Sequence, residues 1–515
     1  MRPEDIQMPK DKFVFVQEGK NIHDKELVTK PIGYFRDAWN RFKKNKASIV
    51  AAIIIGIMLL FSIFGPLFTP YHVADEDNYM RYNLPKSRLF SAMGADFWDG
   101  CESKESSQTE FYYFYSMGVE TGHNAIKNQE YKVEDKTVNG RTQKVYSYRF
   151  DTYQKSGVIF KDFTKAEYLA IQDYQNKTGI QVIYPMTKRS KRPQSPADEG
   201  DANYWFKTDY VNGRTQVVLT NGKFTNIYLP ADEAVDDYNS LLVEGKTKEY
   251  AYAYQTQTGY NVRINYYEYY IYYHTEVAKD GISTPYFLFG STNTGKDIFV
   301  CLASGARFSF ILAISVALVN LLVGAIYGAI EGYYGGRIDM IMERIVEILS
   351  AVPFMIVITL LKFHMQSSSQ VLILFIAFFL TGWIGMAGRT RMQFYRFKNQ
   401  EYVLAARSLG AKDARIMFKH IFPNALGTLI TGSVLVIPGM IFSETSLSYL
   451  GIINLNSGSM TSVGTLLANA QAYLTSYPHM MIPPAVFICL LMLSFNLFGN
   501  GLRDAFNPSL RGSED

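Results

Sequence analysis

The chain has 515 residues, with 51 Lys and Arg against 47 Asp and Glu, a formal net charge of +4. That near-neutral balance gives no basis for a nucleic-acid partner, and three cysteines, Cys101, Cys301 and Cys489, are too few and too scattered for a disulfide framework. A mean hydropathy of -0.05 would suit a soluble protein, but the average hides long apolar runs toward both ends and a polar, tyrosine-rich stretch between residues of about 70 and 285.

A helix needs about 20 apolar residues to cross a hydrocarbon core about 30 Å thick. The first candidate is Ala47 to Phe68, which contains no Asp, Glu, Lys or Arg. It is longer than a signal-peptide core and follows a polar tail at 1–46, so 47–69 reads as a retained first span. Arg36, Arg41, Lys43, Lys44 and Lys46 crowd its N-terminal side, whereas Tyr71, His72, Asp75, Glu76 and Asp77 open its far side. The bias of basic residues toward the cytoplasm predicts a cytoplasmic N-terminus and an extracellular stretch from residues of about 70 to 300.

Residues 70–288 are long enough to bury a core of their own. Val138-Asn139-Gly140-Arg141-Thr142-Gln143 recurs as Val211-Asn212-Gly213-Arg214-Thr215-Gln216, and Asn-Gly favours a tight hairpin because both residues tolerate positive φ. Further on, Tyr174-Gln175 with Thr178-Gly179 and Val182 is echoed by Tyr254-Gln255 with Thr258-Gly259 and Val262. Two matches in one order predict a duplicated module at about 131–199 and 204–273. Apolar spacing predicts a helix in each, at Lys161 to Gln175 and Ala231 to Leu242, so the inserted domain reads as α+β. Tyr266 to Tyr273 admits two readings, packing across a sheet or a surface on which a ligand stacks. Gly290 to Asp297 imitates a phosphate-binding G-x-x-x-x-G-K loop, but Asp297 stands where a Mg²⁺-binding hydroxyl belongs, which removes that chemistry.

The later runs Phe308 to Ile330, Ile341 to Leu361, Val371 to Gly388, Asn424 to Ser443 and Met480 to Leu502 bring the spans to six. That count returns the tail at 509–515, and the basic loop at 389–423, to the cytoplasm. Glu343, Arg344 and Glu347 should pair locally at the start of the third span, and Pro353 should kink it, as a bend for a gate. Glu444 is the second pathway or gate candidate. Ser443, Thr445 and Ser446 around it favour hydrogen bonding between helices over ligand contact. The histidines show no metal-ligand spacing, and no catalytic residue, cofactor or metal is expected.

Between the fourth and fifth runs lies Glu401-Tyr402-Val403-Leu404-Ala405-Ala406-Arg407-Ser408-Leu409-Gly410-Ala411, continuing to His420-Ile421-Phe422-Pro423-Asn424. It reads as two short helices, the first ended by Gly410 in left-handed geometry and the second closed by Pro423. Ala405 and Ala406 leave a bare surface that another protein can approach closely. Here the chain resembles the integral membrane subunits of ATP-binding-cassette importers, and the flanking residues Arg415-Ile416 and His420 to Asn424 are similar to the C-type permeases for dipeptides and oligopeptides. Gly332-Tyr333-Tyr334-Gly335-Gly336 with Asp339, Glu444 to Gly451, and Asn496 to Asp504 extend the resemblance across 289–508. Leu404 departs from it, standing where many members carry glutamate, as does Asn500, where aspartate is usual.

The resemblance implies a polytopic all-α membrane protein with six transmembrane helices in the type I importer permease fold; it does not cover the extracellular α+β insertion that interrupts this fold. It implies that Glu401, Ala405, Ala406, Gly410 and Pro423 couple the chain to an ATPase. ATP hydrolysis would then lie on two separate ATP-binding subunits. A second homologous permease subunit would complete the pathway, and an extracellular peptide-binding protein would deliver peptide. A permease for another small solute such as a nickel chelate, or a membrane-anchored receptor, is the alternative.

Overall fold

The computed structural model describes residues 34–506 apart from 94–95, 139–140, 188–207, 212–213, 218, 221–222, 226, 232–237, 240–248 and 456–459. A basic helix α1 (Tyr34–Lys44) leads to α2 (Lys46–Phe64), whose first turn is capped by Asn45, its side chain accepting from the Ser48 N–H at 3.2 Å. Pro66 then sits in the 3₁₀ turn Gly65–Leu67 that ends the first apolar helix.

The inserted part contains, in order, α3 (Arg88–Ala92), β1 (Cys101–Ser106), α4 (Gln108–Thr121), β2 (Ile126–Val138), β3 (Arg141–Asp151), β4 (Val158–Phe163), α5 (Lys165–Thr178) and β5 (Ile183–Tyr184). It continues with β6 (Thr208–Val211), β7 (Arg214–Val217), β8 (Leu219–Thr220), β9 (Lys223–Phe224), β10 (Tyr238–Asn239), β11 (Ala253–Gln255), β12 (Tyr260–Asn265) and α6 (Tyr266–Tyr272). One antiparallel sheet has the order β1-β3-β2, and a second runs β10-β11-β12-β4 with β5 also beside β12. Inside this domain Arg263 of β12 is wholly buried, and its guanidinium donates to both oxygens of Glu120 on α4 at 3.1 and 3.2 Å.

Both Asn-Gly pairs lie outside the described residues, but the strands on either side of each are antiparallel partners, β2 with β3 out to Val138 and Arg141, and β6 with β7 out to Val211 and Arg214. The second correspondence does not extend to structure. Gly179, at φ 73°, is the C-cap of α5, whereas Thr258-Gly259 lies in the turn between β11 and β12. Helix ends and tight turns both recruit Thr-Gly, so the sequence match does not specify the element. The helix expected at Lys161 to Gln175 forms as α5 behind a capping box of Thr164 and Glu167. Thr164→Ala is expected to cost about 1 kcal/mol, seen as a drop of about 2–4 °C in the unfolding midpoint of the inserted domain. At Ala231 to Leu242 the described pair Tyr238–Asn239 is strand β10, and residues 232–237 and 240–242 lie outside the described residues. The tyrosine run is helix α6 and not a strand, because the Asn265 side chain caps it by accepting from the Glu268 N–H at 3.0 Å. Tyr266, Tyr270 and Tyr272 are buried against the sheet, which is packing.

The remaining helices are α7 (Ile298–Tyr334), α8 (Gly336–Ser350), α9 (Phe354–His364), α10 (Gln370–Phe397), α11 (Glu401–Ser408), α12 (Asp413–Arg415), α13 (Phe422–Val434), α14 (Val436–Tyr449), α15 (Val463–Gln471) and α16 (Ile482–Phe506). Among the described residues five helical stretches are long and apolar enough to cross a membrane: Lys46–Leu67, Ile298–Tyr334, Gln370–Phe397, Asp413–Tyr449 and Pro478–Phe506. The pair α8 and α9 adds a sixth only if counted as one span, for the two helices meet at 74°. Pro353 therefore breaks the run outright: it lacks an N–H, and at φ -58° and ψ 132° it becomes the N-cap of α9.

The inserted domain is rooted in the helical bundle. The Ser291 hydroxyl donates to Met80 O at 2.5 Å and accepts from the Asn83 N–H at 2.8 Å, and the Tyr82 ring stacks on Tyr477 at 4.4 Å. The loop that imitates a phosphate site belongs to this joint. Lys296 pairs with Glu76 at 3.1 Å, and Asp297 caps α7 by accepting from the Phe299 N–H at 3.0 Å.

Candidate functional site

The position of the loop between α10 and α13 is set by how α10 packs on α7. Gly324, Gly328 and Gly332 recur every fourth residue on α7, and a Cβ at Gly328 would lie 2.1 Å from Ala387 O. The two backbones are thus in direct contact, as small residues in membrane helices permit. At the far end of that contact Arg391 of α10 donates to both oxygens of Asp339 on α8, at 2.7 and 3.1 Å, and lies 3.3 Å from Glu343 and 3.4 Å from buried Glu331. Among the described residues Glu343 therefore pairs with Arg391 and not with Arg344, whose partner is Glu347. Helix periodicity shows near neighbours, whereas this partner comes from a different helix.

Beyond this cluster Lys398 donates to Gly332 O at 2.9 Å, and its partial burial holds the ammonium below the usual lysine range. Helix α11 then turns Val403 inward onto Phe394, Ile416, Met417 and Ile421. Tyr333, near the end of α7, donates to Asp413 at 2.7 Å, and the Arg407 guanidinium lies over its ring at 5.8 Å. One tyrosine so holds both halves of the loop. Sequence reasoning missed Tyr333, Val403 and Asp413. The apolar register of Val403 was a usable signal, but the partners of Tyr333 are too distant in sequence to be inferred.

The outward face carries the expected residues. Glu401, Ala405, Gly410 and Pro423 are exposed, Ala406 is half-buried, and Leu409 is 88% exposed with Leu404 also exposed beside it. Gly410, at φ +81°, ends α11 in a Schellman arrangement: its N–H reaches Arg407 O at 3.0 Å, and the Ala411 N–H reaches Ala406 O at 3.1 Å. Pro423 does not close a second helix. After α12 the chain runs through the π-helical turn Ile416–Ile421 straight into α13, and Pro423 occupies the first turn of α13, where no N–H is needed.

The two pathway candidates stand apart from this loop. Pro353 is exposed at the bend between α8 and α9. Glu444, only 1% exposed, accepts from Ser309 of α7 at 2.8 Å and from Ser448 at 3.1 Å. Its partners are not the expected Ser443, Thr445 and Ser446, and the carboxylate joins α14 to α7.

Residues 321–512 match the family model described as binding-protein-dependent transport system inner membrane component, and residues 33–85 match the N-terminal TM domain of oligopeptide transport permease C. The oligopeptide transport system permease protein OppC of Bacillus subtilis is 45% identical over 223 residues, covering 43% of this chain and 72% of that protein. The chain belongs to this family of ABC importer permeases. The permease is also 40% identical over 224 residues to the dipeptide transport system permease protein DppC of Bacillus subtilis, covering 43% of this chain and 69% of that protein. OppC of Haemophilus influenzae matches at 40% over 226 residues, covering 44% of this chain and 71% of that protein. Permeases of this family are transport components of multi-subunit ABC transporters, with ATPase activity on separate subunits. Residues 86–320 of this permease lie outside both matched models.

Proposed function

We propose that this permease forms half of a peptide translocation pathway, and that the outward face of α11 is where an ATP-hydrolysing subunit docks. The observation that carries the reading is the exposed apolar face of Leu404, Ala405 and Leu409 on a helix fixed from behind by Val403 and Tyr333. A rigid element with a small-residue, apolar outer surface suits a partner that must push. Movement of α11 would pass through Tyr333 to α7, and through Arg391 and Asp339 to α8 and the bend at Pro353.

The basic residues around the first span and in this loop support an orientation with both termini and α11 in the cytoplasm and the inserted domain outside. The partners are then two ATP-binding subunits, a second homologous permease and an extracellular peptide-binding protein, for which the inserted domain is a docking platform. The names of the OppC and DppC relatives favour peptide over nickel chelates or other small solutes as the cargo.

Leu409→Asp and Ala405→Arg test the docking role, because both side chains are exposed and neither contributes to the core. Each variant should insert at wild-type level yet retain the ATP-binding subunit about tenfold less well, equivalent to ~1.4 kcal/mol. Copurification of that subunit at wild-type yield from both variants would remove the assignment.

A further inference from the structure

The segment that joins the first span to the inserted sheets bears an apolar surface that no described element covers. Leu89 and Met93 lie one helical turn apart at α3, with Met93 72% exposed, and exposed Phe97 and Trp98 continue the same patch. Phe90 backs the patch, its ring 4.9 Å from Phe97 and 6.0 Å from Trp98. A contiguous group of large apolar side chains facing outward marks an interaction surface. The patch is also held in place: the Trp98 indole N–H donates to Leu288 O at 2.5 Å, the Ser87 N–H to Trp98 O at 2.9 Å, and the Lys86 N–H to Phe287 O at 2.9 Å.

Its level in the molecule identifies what covers it. Arg88 and Leu288 line a cleft of about 460 Å³ together with Phe68 and Phe299. Phe68 directly follows the first apolar helix and is 81% exposed, and Phe299 lies in the opening turn of the next membrane helix. Through Arg88, next to Leu89, and Leu288, the acceptor of the Trp98 N–H, the patch therefore adjoins a cleft lined by the facing ends of two apolar helices long enough to cross a membrane. Tryptophan rings are enriched at the ends of membrane helices, and Arg88, exposed one residue before Leu89, puts a cation that suits lipid phosphate beside the patch.

We propose that Leu89, Met93, Phe97 and Trp98 form a wedge seated among the phospholipid headgroups, on the side of the membrane that carries the inserted domain. The wedge holds that domain down on the bilayer, adding to its two covalent links and to the joint formed at Ser291, Tyr82 and Lys296.

The test uses the full chain in phosphatidylcholine–phosphatidylglycerol vesicles, with Cys101, Cys301 and Cys489 replaced by Ala and a nitroxide attached at Met93→Cys or, as a control, at Val133→Cys on exposed β2. Oxygen concentrates in lipid and a nickel chelate in water. The Met93→Cys label should relax more with oxygen than with the chelate, and the Val133→Cys label should show the reverse. Preferential relaxation by the chelate at Met93→Cys would overturn the wedge, and so would shielding from both reagents, which would mean a protein cover. If the cysteine-free chain does not fold, fluorescence from the otherwise unaltered chain in vesicles of lipid brominated near the headgroup, compared with Trp98→Phe, gives the same answer. Quenching that falls with Trp98→Phe supports the wedge, and equal quenching in the two proteins refutes it.

Discussion

Gly328→Leu is expected to abolish folding of the permease, while Gly388→Ala, on the facing helix α10, should be silent. A Cβ at Gly328 would meet the Ala387 carbonyl oxygen at 2.1 Å and the Thr390 Cβ at 2.8 Å, whereas one at Gly388 would meet nothing within 4 Å. The first obstruction is backbone, so no rotamer change relieves it, and α7 and α10 must separate. Overpacking that a side chain can absorb costs about 1–3 kcal/mol. A shift of two whole helices would exceed about 3 kcal/mol, and it would also part Gly324 from Trp383 and Gly332 from Arg391. The measurement is the fraction of detergent-extracted protein that elutes as a single species on size exclusion. Near-complete loss with Gly328→Leu beside a wild-type profile for Gly388→Ala is the expected pair of results. A wild-type profile for both would show that the close approach of α7 and α10 is not needed.

What could be read from the sequence was what depends on near neighbours. The end of α11 at Gly410 follows from one residue's tolerance of positive φ, and the cap of α5 from Thr164 and Glu167, three residues apart. Apolar run length revealed the membrane helices, because the bilayer imposes it on each helix separately. Pairings across the fold were out of reach: nothing local links Ser309 to Glu444, or Tyr333 to Asp413. Some local signals were also ambiguous. Thr-Gly serves a helix end at Gly179 and a strand turn at Gly259, and proline either ends a helix or begins one, as Pro423 does for α13. The four-residue spacing of Gly324, Gly328 and Gly332 lies in plain view in the sequence. It marks a close helix contact but does not say which helix makes it.

Arg391→Ala is expected to destabilise the permease by about 3 kcal/mol and to stop ATP-driven uptake, even though Arg391 touches neither the outward face of α11 nor Glu444. Three carboxylates surround its guanidinium: Asp339, Glu343 and Glu331, the last 1% exposed and on α7. Removing the one cation that all three share among the described residues leaves like charges facing one another with one of them buried, and breaking a buried pair typically costs about 3–5 kcal/mol. The lower end applies because the Arg391 side chain keeps some contact with solvent. Arg391→Lys should fall between alanine and wild type, since a single ammonium cannot take both oxygens of Asp339 and still face Glu343. The double change Arg391→Ala with Asp339→Asn should recover part of the loss, because it removes one of the uncompensated charges, and that recovery separates an electrostatic cause from lost packing. Unfolding midpoints of the purified variants and uptake in vesicles at matched protein levels provide both readings. If the double variant is no more stable than Arg391→Ala, the side chain acts by packing; if Arg391→Ala transports at the wild-type rate, movement of the loop reaches α8 by another route.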